Sequence, residues 1–317
     1  MNYVARKLAL LLLTLLLVSL LAFVAFAVLP SDPATKLLGT QATPERVAAL
    51  RAELGLDRPY GVRYWSWLTD FVRGDFGTSY NYNMPVRAMI GEKLPVTMAL
   101  TVLSFLLTVL LSFPLGILMA QREGSRLDRF WMLGNQLGMS VPPFFTGILL
   151  SYVFGLGLHC FQAGELPDPQ SDLGGYLLYL LFPALAVAIP KAAMTARLLR
   201  GAILQELEQD YVRTARSRGL TQRQILTRHV LKNALLPVIT FLALTVADIV
   251  AGSVVVEQVF VLPGLGRLLL SSILNRDYPV AQAIVVLLAL LVVLLNTLAD
   301  ALNRRIDPRL RLGKGGR

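Results

Sequence analysis

Residues 96–120 read VTMALTVLSFLLTVLLSFPLGILMA, 25 residues without a charge. A helix rises about 1.5 Å per residue, so about 20 such residues cross the roughly 30 Å hydrocarbon core of a bilayer. A run this long and this apolar belongs in lipid. Working outward, five more runs of that kind appear, at 8–29, 130–161, 175–194, 234–256 and 280–299. The first and last are also free of charge. The run 130–161 is uncharged but broken by Pro142-Pro143, and 175–194 ends against Lys191 and Arg197. The run 234–256 carries Asp248 inside it. The expected fold is an all-α, six-span membrane bundle.

Composition agrees. Of 317 residues, 55% are apolar and only 16% charged, against about 25% charged in soluble domains. Mean hydropathy is +0.60. One cysteine excludes a disulfide framework, and with only His159 and His229 beside it no zinc site is expected. The first run follows Arg6-Lys7 and contains an A-x-A match at Ala25-Phe26-Ala27, which suits a secretory signal. Its 22 apolar residues exceed the apolar region of such signals, about 7–15 residues. A retained span is the better reading.

The net charge of +10 raises nucleic acid or anionic lipid as partners, and its distribution decides between them. Were the N-terminus cytoplasmic, the inner segments 1–7, 121–129, 195–233 and 300–317 would hold 19 Lys and Arg, and the short outer loops 162–174 and 257–279 would hold 2. Segment 30–95 is too long for that count. The asymmetry predicts both termini cytoplasmic and reads the basicity as topology. The expected organisation is a cytoplasmic N-terminus and first span over 1–29, an extracytoplasmic segment over 30–95, a five-span core over 96–299 and a basic cytoplasmic tail over 300–317.

Two connecting segments carry pattern. In 30–95, Thr43-Pro44 followed by Val47, Leu50, Leu54 and Gly55 predicts a capped short helix. Tyr64, Trp65, Trp67, Leu68, Phe71 and Val72 form a second helical stripe, whose aromatics suit the membrane–water boundary. A small subdomain packed on the bundle is compatible with that reading. In 202–232, Glu206, Glu208 and Asp210 precede Arg213, Arg216 and Arg218, and Gly219 offers a helix stop. Thr221 with Gln224 restarts a helix through a capping box. The prediction is two short helices around Gly219-Leu220, with apolar Leu207, Tyr211 and Ala215 on one face and Ile225 and Leu226 beyond the turn. A solvated loop is the ordinary reading; DNA binding is disfavoured because the unit is tethered to spans at both ends.

The stretch YVRTARSRGLTQRQILTRHVLKNALLPVI from Tyr211 resembles the cytoplasmic "EAA" loop of binding-protein-dependent ABC importer permeases. Gly219 falls on the motif's glycine and Arg213, Thr214 and Ala215 on its name residues. Arg213 replaces the motif's Glu, and Lys232 stands where a later Pro is usual. Three further stretches are similar to the oligopeptide/dipeptide/nickel branch: LGLDRPYGVRYWSWLTDFVRGDFGTSY from Leu54, SVPPFF from Ser140 and EQVFVLPGLGRLLLSSILNRDYPV from Glu257. Together they cover most of the chain in order, and they resemble the first-listed subunit type of that branch.

The resemblance implies a permease half of an ATP-driven importer. Its partners would be a second, usually unlike permease subunit, two cytoplasmic ATP-binding subunits and an extracytoplasmic substrate-binding protein. Arg213, Ala215, Arg216, Gly219, Leu220 and Arg223 would then form the ATPase-coupling loop. No G-x-x-x-x-G-K-[ST] loop occurs, so ATP would be used by the partners, with no catalytic residue, metal or cofactor on this chain. Peptides are the expected cargo, with nickel or a metal chelate as the alternative. A secondary transporter or channel would show internal repeats and paired broken helices, and neither is evident. An intramembrane hydrolase needs a nucleophile and a base; His159-Cys160 lacks a third partner and reads as a boundary pair.

Within the spans, Asp248 is the residue that hydrocarbon tolerates least, at about 2.5–3.5 kcal/mol. It should face the bundle interior or a wet cavity. Thr245 and Gly252 flank it at helical spacing, Ala243, Ala247 and Ala251 make an adjoining small-residue strip, and Ser140 sits at the Pro142-Pro143 break. Asp248, Thr245, Gly252 and Ser140 are the candidates for the translocation pathway. An inter-helix hydrogen bond, or a pair with Lys191, is the structural alternative for Asp248.

Overall fold

The computed structural model describes residues 3–28 and 33–306. Residue 29, at the end of the first expected span, and residues 307–317 of the basic tail lie outside them. The described residues form helices α1 (Tyr3–Val28), α2 (Pro33–Leu38), α3 (Pro44–Glu53), α4 (Tyr60–Val72), α5 (Val86–Gln121), α6 (Arg126–Ser140) and α7 (Pro143–Leu150). They continue with α8 (Leu173–Leu207), α9 (Asp210–Ser217), α10 (Gln222–Ile225), α11 (Leu231–Val259), α12 (Leu265–Leu274) and α13 (Tyr278–Ile306). Among them, five helices are long and apolar enough to span, or six when α6 and α7 count as one broken span.

The expected spans are recovered with longer ends. The run at 96–120 lies within α5, and α8 carries Lys191, Arg197 and Arg200 past the point where charge suggested a stop. Long basic side chains can lay their stems on apolar surface and reach water with their heads, so charge alone does not end a helix. The run 130–161 departs most from expectation: α6 and the following helix meet at 104°. Two successive prolines explain this. A residue before proline avoids the α region, and both Val141 (ψ 123°) and Pro142 (ψ 147°) are extended. Pro143 then starts α7, where its missing N–H costs nothing.

The chain divides into two compact units. One comprises Met1–Thr97 and Pro263–Val293, the other Met98–Leu262 and Leu294–Arg317. In the first, α4 lies on α1. Tyr64 is buried, its hydroxyl is 2.9 Å from Ser19 Oγ, and its ring meets Phe23 edge-on. The aromatic stripe thus packs on the first span, while Trp65 stays exposed. The expected cap is present: Thr43 accepts from Arg46 N, Pro44 opens α3, and Gly55 beyond its end has φ +64°. A second core joins Val86, Met89 and Ile90 to Leu265, Val280, Ala283 and Ile284. Asp277, 1% exposed, accepts from Ser79 Oγ and from the Tyr80 and Asn81 amides, which ties the turn before α5 to the start of α13.

In the second unit α8 is central and packs against α6, α7 and α11. Small residues allow close approach: a Cβ on Gly116 of α5 would stand 2.9 Å from the Ala196 carbonyl of α8. Pro183 and Pro190 lie inside α8 and Pro237 inside α11. Such prolines are tolerated in spans because neighbouring helices and local adjustment satisfy the freed backbone groups.

Candidate functional site: a basic knob and an intramembrane ion pair

The knob between α8 and α11 is anchored by apolar burial. Val212 and Ala215 of α9 and Ile225 and Leu226 at the end of α10 are buried together with Leu199 and Ile203 of α8, Ala120 of α5 and Val230. Leu207, Tyr211 and Leu220 pack on this cluster from its edge. Leu207 belongs to the end of α8, so it does not share a helix with Tyr211 and Ala215. Glu206 is also in α8 and Glu208 caps that helix, leaving Asp210 as the one acidic residue in the first turn of α9. The acidic-to-basic run across 206–218 is therefore split between two helices.

The turn between α9 and α10 is built as the residue types require. Leu220 N–H donates to the Ala215 carbonyl and Gly219 N–H to the Arg216 carbonyl, a Schellman ending that needs a left-handed residue. Gly219 supplies it with φ +80° and open space around the missing Cβ. Thr221 then accepts from Gln224 N while the Gln224 side chain accepts from Thr221 N, the predicted capping box. Behind the turn, the Tyr211 hydroxyl donates to Glu206 (2.6 Å), and Asn233 of α11 donates to the same carboxylate (3.4 Å). Burial, then the hydrogen bond to Glu206, pushes the Tyr211 phenol above its ordinary pKa, so it remains a donor.

The coupling candidates divide by face. Ala215 and Leu220 point into the cluster, whereas Arg213, Arg216, Gly219 and Arg223 are exposed. Arg213 reaches Asp210 at only 3.6 Å, with both side chains largely in solvent (78% and 97% exposed). A pair like that contributes little, so its guanidinium is available to a partner. Of the buried anchors, Ile225 and Leu226 are the apolar pair expected beyond the turn, whereas Val212 and Val230 were not expected. Val212 lies three residues before Ala215 on the same helix, a spacing that the density of arginines obscured.

In the spans, Lys191 Nζ of α8 meets Asp248 Oδ2 of α11 at 2.9 Å. The carboxylate side of the pair is 67% exposed on the isolated chain and the lysine 19%. Thr245 does not share that exposure: it is buried, and its hydroxyl donates to the Phe241 carbonyl. Gly252 lies beside Val187 of α8. Of the adjoining strip, Ala247 is buried and Ala251 exposed. Ser140 is exposed at the end of α6 and donates to the Gln136 carbonyl. Among these four candidates only Asp248 both carries charge and presents it outward.

One charged pair escaped the sequence reading. Asp128, 3% exposed at the start of α6, accepts from Arg200 Nη2 of α8 (3.0 Å) and from Gly124 N (3.1 Å). Asp128 was legible only as a residue three after Ser125, whose hydroxyl caps α6. Cys160 is exposed and His159 takes φ +55°, at the end of the segment after α7.

Residues 112–312 match the family model described as binding-protein-dependent transport system inner membrane component, and residues 1–101 match the corresponding N-terminal model. The chain belongs to this family. It is a permease subunit of an ABC importer, an inner-membrane, multi-pass protein that works with ATPase and substrate-binding partners. A protein of Sinorhizobium fredii, named a probable peptide ABC transporter permease, is 35% identical over 98% of this chain and 99% of its own length. A Brucella abortus protein named for a peptide transport system permease is 40% identical over 94% and 95%. A glutathione transport system permease protein of Salmonella typhimurium is 38% identical over 98% and 99%. The permease fold matches that of the inward-facing methionine ABC transporter MetNI, with TM-score 0.54 and 20% identity over 69% of this chain and 96% of that one.

Proposed function

We propose that this permease forms one half of the translocation pathway for short peptides, in a complex with a second permease subunit, two ATP-binding subunits and an extracytoplasmic binding protein. The knob built by α9 and α10 couples ATP hydrolysis to the spans. The observation that carries this reading is its division into an apolar anchor continuous with α8 and an outward face of exposed guanidinium groups, of which Arg213 is held only by a solvent-exposed pair with Asp210. A push on that face would pass through Val212 and Ile225 to Leu199 and Ile203, which share one buried cluster with them. Both termini are cytoplasmic on this reading, because the 19-to-2 basic asymmetry puts the knob on the ATPase side.

Asp248 lines the pathway. A carboxylate held outward on a spanning helix cannot remain against lipid. Water or the second subunit must cover it, and Lys191 holds it in place meanwhile. Peptide cargo is favoured over nickel because relatives 35–40% identical over nearly the whole chain are named for peptides and glutathione.

The test is reconstitution of both permeases and both ATPases in vesicles with the binding protein supplied outside. ATP-driven accumulation of a labelled tripeptide, uncompeted by nickel ions, is expected. Accumulation of nickel alone would replace the peptide reading. Peptide flux without ATP would remove the coupling role.

A further inference from the structure

In the unit that contains the extracytoplasmic segment, a cavity of about 790 Å³ opens between α1, α3, α4, the turn at Gly77–Tyr80 and the start of α13. Phe23 and Phe26 of α1 give it an apolar wall. The rest is charged and donor-rich. Along α4, Arg63, Ser66, Trp67 and Asp70 all line it; their spacing of three, four and seven residues puts them on one face. Arg63 and Asp70 are two turns apart, so their Cα atoms stand about 10.5 Å apart.

Neither charge on that face is spent. The Arg63 guanidinium lies over the rings of Phe23 (5.9 Å) and Tyr60 (5.6 Å), and among the described residues neither it nor Asp70 forms an ion pair. Arg58 and Glu53, also lining the cavity, are likewise unpaired among the described residues. Between the charges, Trp67 Nε1 is buried without an acceptor. From α13, Gln282 lines the same cavity, is 7% exposed, and has Nε2 buried without an acceptor. Buried donors left unmade are costly, and a fold keeps them where something else supplies the acceptor. Tyr80 adds a third donor: burial raises its phenol above the ordinary value, Arg63 offsetting part of this, so it keeps its proton.

A cation at one end, a carboxylate at the other and donors between them complement a zwitterion that carries carbonyls along its middle. An extended chain covers about 3.3–3.6 Å per residue, so about three residues match the Cα spacing of Asp70 and Arg63. A phospholipid headgroup is a zwitterion too, but its ammonium and phosphate lie much closer together. We propose that this cavity is a holding site for a short peptide, with the C-terminal carboxylate at Arg63, the N-terminal ammonium at Asp70, and the peptide carbonyls accepting from Trp67 and Gln282. The site rests on the peptide-cargo reading and adds a position for the cargo on the extracytoplasmic segment of the permease itself.

The test uses the assembled permease–ATPase complex in lipid nanodiscs, without the binding protein, titrated calorimetrically with tri-alanine. Saturable binding is expected, weakened at least tenfold by C-terminal amidation or N-terminal acetylation of the probe. Arg63→Gln is expected to bind the acid and the amide equally, and Asp70→Asn the free and acetylated forms equally. The probe series on the unaltered complex stands even if a variant fails to assemble. No binding of tri-alanine, equal binding of all three probes, or a retained phospholipid that tri-alanine does not displace would overturn the site. Uptake of tri-alanine by the complete transporter is measured alongside. Uptake without binding to the permease complex removes the site and leaves peptide import standing; binding without uptake keeps the site and removes the import reading.

Discussion

Two Arg–Asp pairs in the same unit are chemically alike and physically opposite. Arg213 and Asp210 meet at 3.6 Å on the surface of α9, three residues apart and 78% and 97% exposed. Arg200 and Asp128 meet at 3.0 Å between α8 and α6, 20% and 4% exposed. In water, the attraction is screened and the entropy of two long side chains cancels most of it. In the interior neither partner can be abandoned, because the survivor remains a charge without a solvent. The first pair therefore leaves its arginine free for another protein, and the second consumes its arginine in holding α6 to α8.

That contrast can be broken most visibly at Asp128. Asp128→Ala should destabilise the purified chain by about 3–5 kcal/mol, since Arg200 is left uncompensated. Asp128→Leu with Arg200→Leu should recover most of the loss. Thermal unfolding in detergent reads both, and equal losses for the single and double variants would show that the pair is not the cause. At Gly219, valine must occupy the left-handed region at φ +80°, at a cost on the order of 1–3 kcal/mol. Gly219→Val is expected to leave insertion intact while ATP hydrolysis no longer drives uptake. Unimpaired uptake in an assembled complex would sink the coupling role of the turn.

Smaller effects sharpen the comparison. Tyr211→Phe removes one hydrogen bond to Glu206 behind the knob and should cost about 0.5–1.5 kcal/mol in the same unfolding assay. Asp248→Asn keeps the shape and removes the charge, so expression and assembly should survive while uptake of cationic peptides falls. Unchanged uptake rejects the charge role, and lost assembly makes the Lys191 pair structural. Arg213→Ala should change the stability of the isolated chain by no more than about 0.5 kcal/mol. Its expected effect is weaker co-purification with the ATPases; a large loss of stability would place Arg213 with Arg200 and not apart from it.

Local chemistry was legible in the sequence because its causes lie within a few residues. Uncharged runs of about 20 residues mark spans whatever surrounds them. The Pro142-Pro143 break follows from what proline does to its own and the preceding residue, although its 104° angle does not. Thr43, Gly219 and the Thr221–Gln224 box acted as caps because a cap is satisfied by its own helix. Asp248 declared itself by being a carboxylate in an apolar run.

What tertiary structure decided is pairing and facing. Asp128 and Arg200 are 72 residues apart, and Ser79 and Asp277 are 198 apart; no local spacing selects such partners. Thr245 shares a helical stripe with Asp248 on paper, yet it is buried while Asp248 is exposed. Glu206, Glu208 and Asp210 read as one acidic helix start until α8 proved to end between them. A sequence states which groups water or lipid would reject. Only the folded chain states which other group stands close enough to take them in, since that distance is set by helices whose residues are far apart along the backbone.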